Sequence, residues 1–246
     1  METGKTTKYL KYAIGEIVLV VIGILIALQI NNYNEARKQR AVEIHYLKNL
    51  KTDLELNIAE LDNYIAVRNS RIESATKVLE HYEGKPLTDL RDFTFHAVNV
   101  YGWQRFTQQD NTFQELVNSG NLALISSDSI KNGLLDLQAL YNKLKNVELH
   151  VRFDSETMMY KPQYRILDLN AMFNIMIYSD SIGPSYKNRT LSRADYEALL
   201  KDRIQKNGFA MTRMQFDNMN WRFKEMKVQC YKIIAIIDRE LQVENE

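Results

Sequence analysis

The chain has 246 residues, of which 45% are hydrophobic and 26% charged, with only 9 Gly and 3 Pro. That content excludes a disordered tail, and the scarcity of turn formers argues against an all-β fold and for long helices. Net charge is +1: residues 1–40 hold six Lys/Arg against three acids, which leaves 26 basic and 28 acidic residues for the remainder. A duplex-binding face needs a strong basic excess, so no nucleic-acid partner is expected.

The chain opens with a short tail, 1–11, carrying Lys5, Lys8 and Lys11. Residues 12–30 (YAIGEIVLVVIGILIALQI) follow, unbroken by a polar side chain from Ile17 to Leu28. About 19 helical residues cross most of a ~30 Å hydrocarbon layer. Tyr9, Tyr12 and Tyr33 flank the run as interfacial aromatics do. No A-x-A-type cleavage site follows the run, so a retained signal anchor is expected rather than a cleaved leader. Arg37, Lys38 and Arg40 balance the three lysines, and the charge rule for orientation is a tie.

Two features stand out in the anchor. Glu16 sits about one turn inside the apolar run, where a carboxylate is costly. It reads either as a proton-handling or partner-pairing group or, more commonly, as an acid snorkelling at the interface. Gly23 and Ala27 form a small-xxx-small pair, with Gly15 two turns earlier, a pattern that permits close helix–helix approach. The expected partners are therefore the lipid bilayer and a second membrane helix, from another copy of this chain or from another membrane protein.

The stretch KYLKYAIGEIVLVVIGILIALQINNYNEARK (8–38) resembles the N-terminus of an uncharacterised family of bacterial single-pass membrane proteins, found mostly in one phylum of gram-negative bacteria. The carrying pattern is Lys-Tyr-x-x-Tyr-Ala-x-Gly-Glu before the apolar run, then Ala-Leu-Gln-Ile-Asn-Asn. TFQELVNSGNLALISSDSIKNGLLDL (112–137) is similar to a second region of that family. The resemblance implies an inner-membrane anchor with the soluble part in the periplasm, and it implies no chemistry.

Beyond the anchor, residues 31–246 read as one soluble helical domain. No breaker separates it from the anchor, so a continuous helical stalk is expected. Over 41–82, Leu54, Ile58, Leu61, Ile65, Arg68, Ile72, Ala75, Leu79 and Tyr82 fall at alternating four- and three-residue steps. This is a heptad seam interrupted by Arg68, and it stops at Gly84 and Pro86. Thr88 is placed as the cap of a helix over 89–106, and Thr112 with Glu115 as the capping box of a short helix. A long helix is expected from Asp128 to about 178, broken or kinked at Pro162, followed by a loop over 179–190. Ser192 caps a final helix to about 241, with a second seam of Phe216, Met219, Phe223, Met226, Cys230, Ile233 and Ile237. Two seams at opposite ends of the domain predict an all-α fold: one transmembrane helix followed by a long-helix antiparallel bundle.

Catalytic signatures are missing. His45, His81, His96 and His150 do not pair at metal-ligand spacing. Phosphate loops and the GxSxG elbow are absent. Cys230 lies on an apolar seam, reads as a core residue, and has no second cysteine to pair with. The expected function is a non-enzymatic, membrane-anchored interaction or sensor-like domain with no cofactor and no metal. The alternative is an accessory subunit of a transport or energy-coupled complex with Glu16 as the working residue. An enzyme with a site assembled from scattered residues has no positive support.

Overall fold

The computed structural model of the chain describes residues 3–102, 104–170 and 191–242, with side chains from Gly15 onward. Every regular element among the described residues is helical. These are α1 (Thr3–Tyr82), α2 (Leu90–Asn99), α3 (Asn111–Asn118), a 3-10 turn (Asn121–Leu124), α4 (Asp128–Asp154), a π-helical turn (Ser155–Tyr160), α5 (Lys161–Ile166), α6 (Arg193–Lys201) and α7 (Arg203–Gln242).

α1 is the continuous stalk. Its 80 residues span about 120 Å at 1.5 Å per residue. Between Gly23 and Gly84 there is no Gly or Pro to interrupt it. It ends in a Schellman motif: Lys85 N–H donates to the Glu80 carbonyl (3.1 Å) and Gly84 N–H to that of His81 (3.2 Å). Gly84 takes the left-handed conformation this cap needs, at φ 106°. The helix is exposed throughout 15–39 and becomes buried at Glu43, where the bundle begins. Its apolar part is long enough to cross a membrane, with a mean hydropathy of 1.9 over the best 18-residue window.

Four legs form the bundle. α1 runs from a near end, around Glu43, to a far end at Tyr82. The second leg returns beside it as α2, an irregular stretch and α3. α4 runs back outward parallel to α1, continues through the π turn into α5, and α7 completes the bundle antiparallel to α1. The pairings Lys51–Asp238 (2.6 Å) and Asn69–Asn220 (2.8 Å) set the register of α1 against α7, and the Tyr82 hydroxyl donates to the Leu199 carbonyl of α6 (2.7 Å) at the far end. Both predicted seams line the core. Leu54, Ile58, Leu61, Ala75 and Leu79 are buried on α1, with Ile65 and Ile72 half-buried. Phe216, Met219, Phe223, Met226, Cys230, Ile233 and Ile237 are all buried on α7. Burial pushes the Cys230 thiol up to about 12, as suits a packing residue rather than a nucleophile.

The near end is clamped by one carboxylate. Glu43 accepts from both the amide and the hydroxyl of Ser126 (2.6 Å each) and from Arg40 (2.7 Å). Arg40 also donates to the Glu240 carbonyl (2.9 Å), joining α1, the entry to α4 and the end of α7. Burial raises the Glu43 carboxyl, but Ser126 and Arg40 outweigh it and hold it below its ordinary value. A depressed folded pKa means that the unfolded chain binds the proton first, so this stabilisation is complete above the ordinary Glu pKa and lost as pH falls through the folded value. Glu43→Gln is therefore expected to flatten the acid limb of stability against pH below about pH 4.5, read as urea midpoints across that range.

Several boundaries differ from expectation. Asp89, not Thr88, caps α2, accepting from the amides of Arg91 (2.8 Å) and Asp92 (3.0 Å). α2 stops at Asn99, where 89–106 was expected, and Phe106 is buried from non-helical chain; Trp103 lies outside the described residues. The Thr112–Glu115 capping box does not form, because both groups bond to α1 instead. The Thr112 amide donates to Asp53 (3.0 Å), and Glu115 accepts from the Tyr46 hydroxyl (2.9 Å). The last helix is two: Ser192 caps α6 in a capping box with Asp195, the chain extends at Asp202, and Asp202 accepts the Gln205 amide (2.8 Å) at the start of α7. The expected helix to 178 ends at Ile166; 171–178 and the predicted loop 179–190 lie outside the described residues.

Pro162 has a specific consequence. It has no N–H to give the Met158 carbonyl one turn earlier, and the preceding turn widens into the π conformation. Gln205 of α7, fully buried, supplies the missing donors: its amide reaches the carbonyls of Met158 (3.2 Å) and Met159 (2.7 Å). α7 can come this close because residue 208 is glycine. A Cβ there would overlap Met159 Sδ and stand 3.0 Å from the Met158 carbonyl. Backbone cannot yield as a side-chain tip can, so Gly208→Ala is expected to cost about 1–3 kcal/mol, measured as the shift in urea midpoint.

Candidate functional site

The second leg raises a problem of backbone satisfaction. Residues 100–102 and 104–110 are not helical, and buried amides and carbonyls must find partners. Polar side chains on α1 and α4 provide them. Asn57 both donates to the Gln109 carbonyl (2.7 Å) and accepts its amide (2.8 Å). Tyr64 donates to the Arg105 carbonyl (2.5 Å), and Glu148 accepts the Phe106 amide (3.2 Å).

Glu148 sits in a polar layer that divides the interior. One apolar cluster fills the near half, around Leu47, Leu61, Phe106, Leu137 and Phe223. Another fills the far half, around Val78, Phe93, Tyr196 and Phe209. Between them Arg68, 2% exposed, meets Glu148, 1% exposed, at 3.4 Å. The Arg68 guanidinium lies over the Phe223 ring at 4.2 Å, with the Tyr64 and Phe216 rings beside it. Arg105 stands 3.8 Å from the other Glu148 oxygen. Arg71, one turn after Arg68, is 8% exposed and packs against Gly102. Asn69–Asn220 and Gln215–Asp154 (2.6 Å) complete the layer.

Burial dominates this electrostatics. It pushes the Arg68 guanidinium down to about 10 despite Glu148, and pushes the Glu148 carboxyl up despite the Phe106 amide and Arg68. Both shifts favour the neutral forms, so the mutual attraction does not repay desolvation. The layer is therefore poorly explained as a source of stability. It also leaves Arg68 Nη1, Arg71 Nε, Glu148 Oε2 and Asn220 Oδ1 buried without a hydrogen-bond partner.

A signal for this layer lies in the sequence. Ile130, Leu134, Leu137, Tyr141, Leu144, Glu148 and Val151 fall at alternating steps of four and three, a seam like the other two. Glu148 is its one charged member, as Arg68 is on α1. Two opposite charges in otherwise apolar seams of one bundle are natural partners.

The predicted anchor residues lie elsewhere. Glu16, Gly23 and Ala27 are exposed on the free half of α1. Spacings of seven and four residues put these three within about 20° of one face, whereas Gly15 lies about 80° around from Gly23. Nothing stands within 4 Å of where a Cβ on Gly15 or Gly23 would be. The histidines are scattered: His96 is bonded to Ser74 (3.0 Å), His150 is beside Asp154 (3.5 Å), and His45 and His81 are paired within their own surroundings with Asn49 and the Lys85 carbonyl. Among the described residues no three His, Cys, Asp or Glu side chains gather.

A family model described as a family of unknown function (DUF6090) matches residues 16–161. The match covers the anchor face, three legs of the bundle and both Arg68 and Glu148; α7 lies beyond it. No curated protein and no solved structure matches the chain.

Proposed function

We propose, for a chain that belongs to the DUF6090 family of unknown function, the role of a membrane-tethered interaction or sensor-like domain. The observation that carries it is α1, one uninterrupted helix that is apolar and bare at one end and forms the bundle core at the other. Rigid coupling follows from that continuity. A rotation or displacement imposed at either end reaches the other, because no hinge residue intervenes. The face bearing Glu16, Gly23 and Ala27 pairs with the same face of a second copy, where small residues let backbones approach and a carboxylate in the bilayer finds a partner. The anchor sits in a bacterial inner membrane with the bundle in the periplasm, supported by the resemblance of the 8–38 stretch. No reaction is assigned to the buried ionisable groups Arg68 and Glu148.

The test is cysteine cross-linking in membranes, in a Cys230→Ser background, with single cysteines walked from 17 to 28. Dimers peaking at 20, 23 and 27 are expected. Equal or absent cross-linking at all positions would overturn pairing through this face. The second reading, an accessory subunit of an energy-coupled complex, is favoured by the exposed Glu16 carboxylate on an apolar helix. It requires Glu16→Gln to abolish cellular function while insertion and dimer cross-linking persist.

A further inference from the structure

We propose that the polar layer is a binding site for one small oxyanion, held by Arg68 and Arg71. The charge balance carries the proposal. Two guanidiniums are more than nine-tenths buried and a third, Arg105, is about half-exposed, while among the described residues Glu148 is the carboxylate that faces them, Asp154 of the same layer being held by Gln215 instead. Glu148 Oε1 is already committed to Arg68 Nη2 and the Phe106 amide. Arg71 has no ion-pair partner among the described residues, and its Nε has no hydrogen-bond partner. Arg68 Nη1, one turn away on the same face of α1, has none either.

The remaining described neighbours do not supply the missing negative charge. The Tyr64 and Tyr160 phenols lie near Arg71, and burial raises both, so they stay protonated and neutral at pH 7. The Tyr160 hydroxyl is bonded to the Tyr101 carbonyl. Deprotonation is no escape for Arg71, because a guanidinium keeps its charge where a buried lysine would lose it. Gly102 allows the guanidinium to lie against backbone, since a Cβ there would overlap its Nη2. An uncompensated buried cation is strongly unfavourable, and planar guanidinium edges match the paired oxygens of a carboxylate or a phosphate.

The source is a free solute rather than a lipid headgroup. Arg68 lies 38 residues beyond Ile30, the end of the apolar run, which is about 57 Å along a continuous helix. Bound there, the anion would neutralise the layer between the two apolar clusters and tighten the bundle. This inference uses the sensor-like reading only for its meaning in the cell, and its test does not depend on anchor pairing.

The experiment uses the full chain in nanodiscs, exchanged into buffer free of phosphate and carboxylate. The unfolding midpoint is followed during titration with inorganic phosphate and, separately, acetate and chloride. A saturable rise of about 5 °C is expected with phosphate or acetate. Arg71→Met should lose that response while starting from a higher midpoint, and Glu148→Gln, which removes the competing carboxylate, should half-saturate at about tenfold lower anion, equivalent to about 1.4 kcal/mol. No response in the wild-type protein, an unsaturable one shared with chloride, or an identical one in Arg71→Met would overturn the site. Should Arg71→Met fail to fold, an unchanged half-saturation in Glu148→Gln would do the same.

Discussion

Glu148→Ala is expected to cost about 3–5 kcal/mol of stability. The substitution strips a hydrogen bond from the buried Phe106 amide and leaves Arg68, 2% exposed, with no carboxylate. Much of the penalty comes from the stranded partner rather than from the lost contact, because burial already outweighs the attraction between the two groups. Replacing both charges by apolar residues of similar size, Arg68→Met with Glu148→Leu, should therefore recover most of the loss. A double-mutant cycle measured by urea unfolding checks this. Recovery in the double variant would mean that the pair serves specificity or binding. A double variant as unstable as Glu148→Ala would mean that the pair itself holds the two halves of the bundle together.

Phe223→Ala is the second large effect, at about 3–5 kcal/mol. Its ring is buried at the junction of three legs. It meets Tyr64 of α1 edge-on at 5.9 Å and Phe106 of the second leg at 5.8 Å, and forms the floor beneath the Arg68 guanidinium. Truncation opens a cavity and exposes a charge to it, so the two losses add to the hydrophobic one. Phe223→Leu keeps most of the volume and should cost less, the difference reporting the ring's own contacts. Unfolding midpoints of the two variants give that difference. Equal midpoints would show that the near cluster closes around the gap and that the ring contributes only bulk.

The fold was legible wherever one period ran far enough. The apolar run, the two long seams and the stop at Gly84 follow from spacing alone, and each is observed. Legibility failed where side chains replace backbone partners. The non-helical chain around Tyr101 and Phe106 buries aromatics as a helix would, yet Gln109, Arg105 and Phe106 are held by Asn57, Tyr64 and Glu148 from other legs, which no local pattern announces. Thr112 and Glu115 have the spacing of a capping box but are claimed by Asp53 and Tyr46, 59 and 69 residues away. The division of the last helix was readable: Asp202 precedes Gln205 by three residues, a cap pattern, and the chain does break there. The polar layer was half readable. Arg68 shows as a break in one seam, and its meaning emerges only when Glu148 is set in a seam of its own.

Thiol accessibility in intact cells, in a Cys230→Ser background with single cysteines placed at Gly23, Leu25, Gln39 and Leu56, tests whether a membrane anchor and a periplasmic bundle share one helix. The reagent crosses the outer membrane but not the inner one, and lysed cells serve as control. Labelling at Gln39→Cys and Leu56→Cys in intact cells, with Gly23→Cys and Leu25→Cys protected, is the predicted result. Labelling of the first pair only after lysis would place the bundle in the cytoplasm, and ready labelling at 23 and 25 would remove the anchor altogether.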